Sequence, residues 1–147
     1  MIVLGSTVLV YAVGEEHPLR GPCRRVLTSH GAGIIDAATT LDVIAEFTHV
    51  RARRRPRSDA VSLARAYRAA LTTLATTDDD VDAGLDLFER HPGLSMFDAV
   101  LAAFAIARGA EALVSADRGF GEVPGLRWID PSTRALESIV DRPRQAG

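Results

Sequence analysis

The N-terminal segment contains a break directly after a short apolar run, and this break limits what the segment can form. Ile2–Leu4 is apolar, includes β-branched residues and does not alternate with polar ones, which is typical of a strand buried on both faces of a parallel sheet. Gly5 lets the backbone turn, and Ser6 or Thr7 can cap a following helix. Because ligands of open α/β sheets bind beyond the carboxyl ends of the strands, we expect a functional site near this turn.

Short apolar segments and helical patterns alternate along the rest of the 147 residues, without internal repeats and without a linker. This alternation predicts one three-layer α/β/α domain with a mainly parallel central sheet over residues 1–140, followed by a polar tail at 141–147. The helix that starts near residue 40 has apolar residues around most of its circumference, so it should be largely buried. Further strands are predicted at 34–35, 72–77, 112–116 and 126–129, and helices at 24–27, 40–54, 58–71, 78–90 and 95–107.

Composition excludes several classes of protein. No apolar run approaches the roughly 18 residues of a membrane span, and Cys23 is the only cysteine, so no intramolecular disulfide can form. These features predict a cytoplasmic protein that is not in the membrane. All 17 basic residues are arginines, which excludes chemistry that needs a lysine, such as a P-loop or a Schiff base. The net charge of -2 argues against indiscriminate binding of nucleic acid, although the charges are segregated along the chain.

Three acidic residues stand where burial would make an unpaired carboxylate costly. Glu46 lies on an apolar helix, Asp98 is in the first turn of the most apolar helix, and Asp117 follows a predicted strand. Carboxylates that converge without basic partners suit Mg²⁺ or Mn²⁺, which bind oxygen ligands. Each acid also has a structural alternative, which is helix capping for Asp98, an ion pair with a downstream arginine for Glu46 and a turn for Asp117.

These acids stand within segments that resemble the PIN-domain ribonucleases of the VapC type, the toxins of type II toxin-antitoxin pairs. The matching segments span nearly the whole chain: IVLGSTVLVYA, TTLDVIAEFTHVRARRR, LSMFDAVLAAFAIARGAEALVSADRGF and VPGLRWIDP. The resemblance implies a metal-dependent endoribonuclease whose acids gather at the carboxyl ends of a parallel sheet. Glu46, Asp98 and Asp117 match three of the family's acidic positions and are the implied catalytic residues and ligands of Mg²⁺ or Mn²⁺. It also implies an RNA substrate, a small VapB-like antitoxin as partner and a homodimer.

The chain departs from the family pattern at Gly5, where the family has an aspartate that is a direct or near-direct metal ligand. Glycine offers no carboxylate, and Ser6, which with Ser115 is expected to support the site, can contribute only a hydroxyl. Either activity has been lost, naturally or by deliberate change, or the site works with three acids plus water. We expect impairment, because Mg²⁺ held by few carboxylates depends heavily on each one. A catalytically inactive PIN-like module that binds RNA or antitoxin is the alternative function.

Arginines cluster at the end of the predicted helix that carries Glu46. A separate arginine, Arg118, lies beside the acidic site because it follows Asp117. Such residues suit RNA phosphates, but they can equally decorate a helix end or pair with an acidic antitoxin peptide. The sequence has few aromatic residues, so base stacking is expected to be minor. The predicted RNA-binding residues are Arg51, Arg53, Arg54, Arg55 and Arg118.

Five acids between residues 78 and 89 imitate a calcium-binding loop. Ala83, however, stands where the sharp turn of such a loop demands glycine. Val81, Leu85 and Phe88 recur instead at helical spacing, which favours a helix with an acidic first turn over a calcium site.

Overall fold

The computed structural model describes residues 1–143, and residues 144–147 lie outside the described part. Five strands alternate with helices along this part of the chain, as the sequence predicts. The strands are β1 (Ile2–Leu4), β2 (Ala37–Thr40), β3 (Thr72–Leu74), β4 (Ala112–Val114) and β5 (Trp128–Ile129). The α-helices are α1 (Ser6–Val13), α2 (Arg20–Gly31), α3 (Leu41–Ala52), α4 (Arg57–Ala70), α5 (Asp78–Arg90), α6 (Met96–Ala107) and α7 (Glu137–Val140), and 3-10 helices cover Arg118–Glu122 and Arg134–Leu136.

The strands form one sheet in the order β3-β2-β1-β4-β5, and every neighbouring pair is parallel. β1 is the central strand, and its residues Ile2–Leu4 are buried on both faces, which confirms the prediction for this segment. Helices flank the sheet, so the predicted three-layer α/β/α architecture is confirmed. Since the strand order reverses between β1 and β4, the crevice at their carboxyl ends is the position at which such sheets bind ligands.

The second strand is not at 34–35. The amides of Ile34 and Ile35 both donate to the Ser29 carbonyl, at 2.9 and 3.4 Å, so these residues belong to the turn that follows α2 instead. The observed strand is Ala37–Thr40. It lies between β1 and β3 in the sheet, and all four of its residues are buried. Alanine and threonine carry little strand signal by themselves, and it is the pairing on both sides that makes this segment a strand.

Three helices differ from their predicted form. α2 is longer than 24–27, because Cys23 and Val26 bury one face of it. α1 begins after Gly5, which forms its N-cap without a side-chain hydrogen bond, so neither Ser6 nor Thr7 caps it. α3 is buried on one face only, and its first residue, Leu41, is 42% exposed.

α5 presents its apolar stripe to solvent. Val81, Leu85 and Phe88 are 40, 51 and 46% exposed. The adjacent face contacts α6, where Gly84 allows close approach because a Cβ there would lie 2.9 Å from the Val100 Cα. Asp78–Arg90 is thus a continuous helix, so its acids do not form the calcium loop that their spacing imitates.

An ion pair also joins α5 to the end of α6. The Arg108 guanidinium donates to both carboxylate oxygens of Asp80, at 2.8 and 2.9 Å, and packs 3.7 Å from the centre of the Phe104 ring. Asp80 is 3% exposed, and its carboxylate accepts the Thr77 amide as well. The hydrogen bonds from Arg108 hold the pKa of Asp80 below its usual value. The ion pair therefore stabilises the α5–α6 contact.

The segment predicted as a polar tail begins with two residues that contact the domain. Asp141 accepts a hydrogen bond from Arg25 at 2.7 Å, and Arg142 pairs with Glu111. The remainder of the predicted tail at 144–147 lies outside the described residues. Within residues 1–143, none of the helices has the length and apolar character needed to cross a bilayer.

Candidate active site

Four chain segments meet at the carboxyl edge of the sheet. Gly5 follows β1, Thr40 ends β2 and caps α3, and Ser115 follows β4. Because these three strands are parallel, all of the segments that follow them leave the same edge. The fourth segment is the start of α6, where the Ser95 hydroxyl accepts the Asp98 amide at 3.1 Å.

A hydroxyl network fixes the segment that carries Asp117. The Ser115 hydroxyl accepts the Asp117 amide at 3.1 Å, and the Thr7 hydroxyl accepts the Ala116 amide at 2.9 Å. The two hydroxyl oxygens are 3.2 Å apart. Ser115 and Thr7 on α1 thus fix the backbone that carries Asp117, whereas Ser6 is a buried residue at the start of α1. The sequence offered both Ser6 and Thr7, and only the fold shows which hydroxyl reaches β4.

Gly5 is pressed against this network. Its amide donates to the Val114 carbonyl at 2.9 Å. A Cβ built at Gly5 would lie 3.1 Å from the Ser115 Cβ and 3.2 Å from its hydroxyl oxygen, closer than ordinary contact. The position is thus beside Asp117's supporting residue, and a larger side chain there requires Ser115 to move by a few tenths of an ångström.

Asp98 and Asp117 approach each other because two turns pack closely. Gly119, in the 3-10 helix after Asp117, lies so near Gly93 that a Cβ on it would collide with the Gly93 carbonyl. Gly93 belongs to the turn that leads into α6 and Asp98. Glycine at position 119 therefore allows the close contact between the turn before α6 and the segment after Asp117.

The carboxylates at this edge influence each other's protonation. Burial and the charges of Asp117 and Glu46 raise the pKa of Asp98 to about 6, although the Ser95 hydroxyl acts in the opposite direction. The pKa of Asp117 is also raised, because the surrounding protein removes part of its solvent, while Ser115 opposes this rise. Glu46 is exposed on α3, so the prediction that it lies within an apolar surface was wrong. It does not pair with an arginine in residues 1–143, so that structural alternative is not formed there.

These three acids suit a divalent cation in their chemistry. Their oxygen ligands favour Mg²⁺ or Mn²⁺, and within residues 1–143 none of the three acids forms a salt bridge with an arginine. A raised carboxyl pKa is the expected signature of anionic side chains gathered without a counter-ion. Within residues 1–143, no three acidic, histidine or cysteine side chains lie close enough together to share an ion as they stand. The acids therefore match a divalent cation in the chemistry of their ligand atoms. Gly5, at the same edge of the sheet, contributes no carboxylate.

Comparison with known proteins identifies the fold and the family. The profile of the PIN domain matches residues 2–126. The chain belongs to the PIN-domain family. Its sequence relatives are of the VapC type, since the chain is 46% identical over 142 residues to Ribonuclease VapC7 of Mycobacterium tuberculosis, covering 95% of this chain and 98% of that protein. It is 30% identical to Ribonuclease VapC13 of the same organism, covering 88% of this chain and 99% of that protein.

Solved structures of other PIN-domain toxins share the architecture. Mycobacterium tuberculosis VapC20, described as a toxin that cleaves the sarcin-ricin loop, gives a TM-score of 0.69 at 19% identity and covers 86% of this chain and 99% of its own. VapBC2 from Rickettsia felis, bound to a DNA fragment from its promoter, gives 0.67 at 19% identity and covers 88% and 98%. At this low identity, the similarity confirms the PIN fold of the present chain.

The predicted RNA-binding arginines of this PIN-domain protein differ in their exposure to solvent. Arg51 donates to both carboxylate oxygens of Asp59, at 2.9 and 3.3 Å, and to the Val13 carbonyl, so it joins α3 to α4 and α1. Its side chain is only 18% exposed, which makes it a poor phosphate ligand and weakens the prediction that it binds RNA. The remaining predicted RNA-binding residues are exposed: Arg53, Arg54, Arg55 and Arg118.

Proposed function

We propose that this chain is a VapC-type toxin that hydrolyses RNA phosphodiesters, with a metal site weakened by Gly5. The observation that carries the proposal is the grouping of Asp98 with Asp117 and Glu46 at the carboxyl edge of a PIN-domain sheet, where burial first, and then the two neighbouring charges, raise the pKa of Asp98. Asp98 is only partly exposed, and none of the three acids forms a salt bridge with an arginine within residues 1–143. Perturbed carboxylates in such a place are typical of a catalytic site.

Each acid has a distinct part in the proposed site. Asp98 and Asp117 would hold Mg²⁺, or Mn²⁺ in its place, and Glu46 would complete the set or orient a water from the more exposed side. The ion, when bound, supplies Lewis acidity that neutralises negative charge on the phosphate. Ser115 and Thr7 hold Asp117 at the position this requires, because they fix the backbone amides on both sides of residue 116.

Gly5 is the proposed cause of weak activity. An aspartate here would extend from the end of β1 toward the crevice at the reversal of the strand order. Without it, fewer anions hold the cation, and a reacting group misplaced by about 1 Å costs on the order of 10²-fold in rate. The substrate-binding surfaces do not depend on this residue. The alternative function, a PIN-domain module that binds RNA or antitoxin without turnover, rests on the same glycine.

Restoring the carboxylate tests both functions. We expect weak or no RNA cleavage by the present chain, and cleavage that EDTA abolishes in Gly5→Asp. Gly5→Asn is the matched control, because it imposes the same displacement of Ser115 without adding a charge. Asp98→Ala in the Gly5→Asp background should remove activity. Robust cleavage by the present chain that survives Asp98→Ala would disprove the assignment of the site, and an inactive but metal-binding Gly5→Asp would favour the binding module.

A cognate VapB-like antitoxin is the proposed protein partner, and a homodimer is the proposed assembly. A solved structure of the same fold supports the first, since the Klebsiella pneumoniae protein is described as part of a toxin-antitoxin complex. Co-purification of the chain with a co-expressed VapB-like protein would test the partnership, and sedimentation would test the dimer. The cytoplasmic location remains a prediction from the sequence.

A further inference from the structure

An exposed aromatic ring stands beside the proposed catalytic acids. Phe97 is 73% exposed and directly precedes Asp98 in the first turn of α6. It borders a cavity of about 230 Å³ that Glu46 and Asp98 also line. The small number of aromatic residues predicted little base stacking, but a single ring at this position is enough to hold one base next to the reacting phosphate.

The cavity is lined by apolar side chains and by carboxylates that accept hydrogen bonds. Val81 and Met96 are among the apolar residues, and Asp42 and Glu46, one turn apart on α3, contribute carboxylates. The Thr76 hydroxyl donates to Asp42 Oδ2 at 2.7 Å, which fixes the orientation of that carboxylate. Since a carboxylate offers about four acceptor positions, Asp42 can accept further hydrogen bonds. Among residues 1–143, no arginine lines this cavity, so a donor must come from the ligand.

We propose that this cavity binds one unstacked RNA base, with guanine preferred, by stacking on Phe97 and by hydrogen bonds to Asp42. Proteins read single-stranded RNA by stacking splayed bases on aromatic side chains and by contacting their Watson–Crick edges. The volume is below the roughly 300–1,000 Å³ of sites for drug-sized ligands, which suits a base better than a larger molecule. The inference rests on the proposed RNA-cleaving function and assigns the part of that site which selects the substrate.

Guanine matches the acceptors better than the other bases do. Its Watson–Crick edge presents two adjacent donors, N1–H and the 2-amino group, to the two oxygens of one carboxylate. Adenine and cytosine place an acceptor beside their amino group, and the single donor of uracil lies between two carbonyl oxygens. Those acceptors would face the Asp42 carboxylate without a proton between them, which is unfavourable.

Binding can be measured apart from cleavage by fluorescence anisotropy in EDTA. The probes are short labelled oligouridylates with guanine, hypoxanthine or uracil at one central position. We expect the guanine probe to bind the present chain about 10-fold more tightly than the uracil probe, in line with the energy of one stacked and hydrogen-bonded base. Hypoxanthine, which lacks the 2-amino group, should bind with intermediate affinity.

Variants separate the two contacts. Phe97→Ala should weaken binding of the guanine probe about 10-fold, whereas Phe97→Tyr should preserve it. Phe88→Ala is the matched control, because Phe88 is also an exposed phenylalanine but lies on α5 outside the cavity lining. Asp42→Asn retains an oxygen that can accept from Thr76 and should abolish the preference for guanine over uracil. Since Phe97 is mostly exposed, its loss should not unfold the protein.

The outcomes distinguish this inference from the proposed function. Equal affinities for the three probes, or equal effects of Phe97→Ala and Phe88→Ala, would overturn it. A change in sedimentation with Phe97→Ala, at unchanged RNA affinity, would show that the ring is a protein contact and would also overturn it. RNA cleavage by Gly5→Asp that is insensitive to Phe97→Ala would leave the proposed function standing without the base site. Guanine-selective binding without cleavage in Gly5→Asp would support the base site and contradict the proposed RNA-cleaving function.

Discussion

Replacing Asp98 by asparagine is expected to stabilise the metal-free protein at neutral pH. Burial, together with Asp117 and Glu46, raises the pKa of Asp98 from 3.8 to about 6. A carboxyl group whose pKa is higher in the folded than in the unfolded state binds its proton more tightly when folded. Stability is therefore lost as the pH rises from about 4 to 6, and above this range the ionised carboxylate is a net penalty.

The size of the effect follows from the pKa and from the position of the residue. The folded and unfolded pKa values differ by about 2, which corresponds to at most about 3 kcal/mol. Partial contact with solvent reduces this, because water screens the neighbouring charges. Asparagine also loses the attraction of a negative charge to the start of α6, which costs about 0.5 kcal/mol. A gain of about 1 kcal/mol remains, equivalent to an increase of about 3 °C in Tm for a domain of this size.

Thermal unfolding in EDTA measures this gain across pH. At pH values above about 7 the variant should have the higher Tm, and near pH 4 most of the difference should disappear because the parent carboxyl is then protonated when folded. Asp79→Asn is the matched control, since Asp79 is an exposed aspartate in the first turn of α5. A gain that is equal at both pH values, or a loss of stability at neutral pH, would refute the explanation by carboxylate repulsion.

Three further predictions concern packing and RNA binding. Gly84→Ala should lower the free energy of unfolding by about 1–3 kcal/mol in urea titrations, because the added methyl forces α5 away from α6; unchanged stability would show that the helices separate freely. Arg108→Ala should cost about 2 kcal/mol by the same measurement, since it leaves the Asp80 carboxylate buried without its partner, and an effect no larger than that of an exposed arginine would contradict this. Arg54→Ala should reduce the salt dependence of log Kd for RNA by about one counter-ion, whereas Arg51→Ala should mainly lower Tm, and the opposite pattern would restore the predicted phosphate-binding role of Arg51.

The arginine cluster shows where sequence reasoning reached its limit. The charge of the cluster and its position around the end of α3 can be predicted from the sequence, but nothing local distinguishes one arginine from another. The fold places Asp59 on α4 opposite Arg51, and the two form a partly buried ion pair. The side chains of Arg53, Arg54 and Arg55 remain exposed. Separating a structural arginine from a binding one thus required a contact between two helices, which a local pattern does not contain.

The apolar stripe on α5 shows a related limit. Helical spacing of Val81, Leu85 and Phe88 correctly predicted a helix, because that spacing depends only on the geometry of the backbone. It did not predict which face is buried. Gly84 has no side chain, and Asp80 is charged, yet both face α6 because one allows close approach and the other is neutralised by Arg108. Contacts with α6 therefore bury a charged residue and a glycine of α5, while its apolar residues Val81, Leu85 and Phe88 stay exposed.

The sequence by itself determined the class of fold and the central strand before Gly5, and it predicted Glu46, Asp98 and Asp117 as the acids of the site. These follow from local patterns and from residue types that keep their chemistry in any fold. The tertiary structure alone decided that Thr7 and Ser115 hold the Asp117 segment, that Glu46 is exposed, and that Phe97 stands beside Asp98. Each of these depends on which segments meet in space, because burial and hydrogen bonding are properties of neighbours that are distant along the chain.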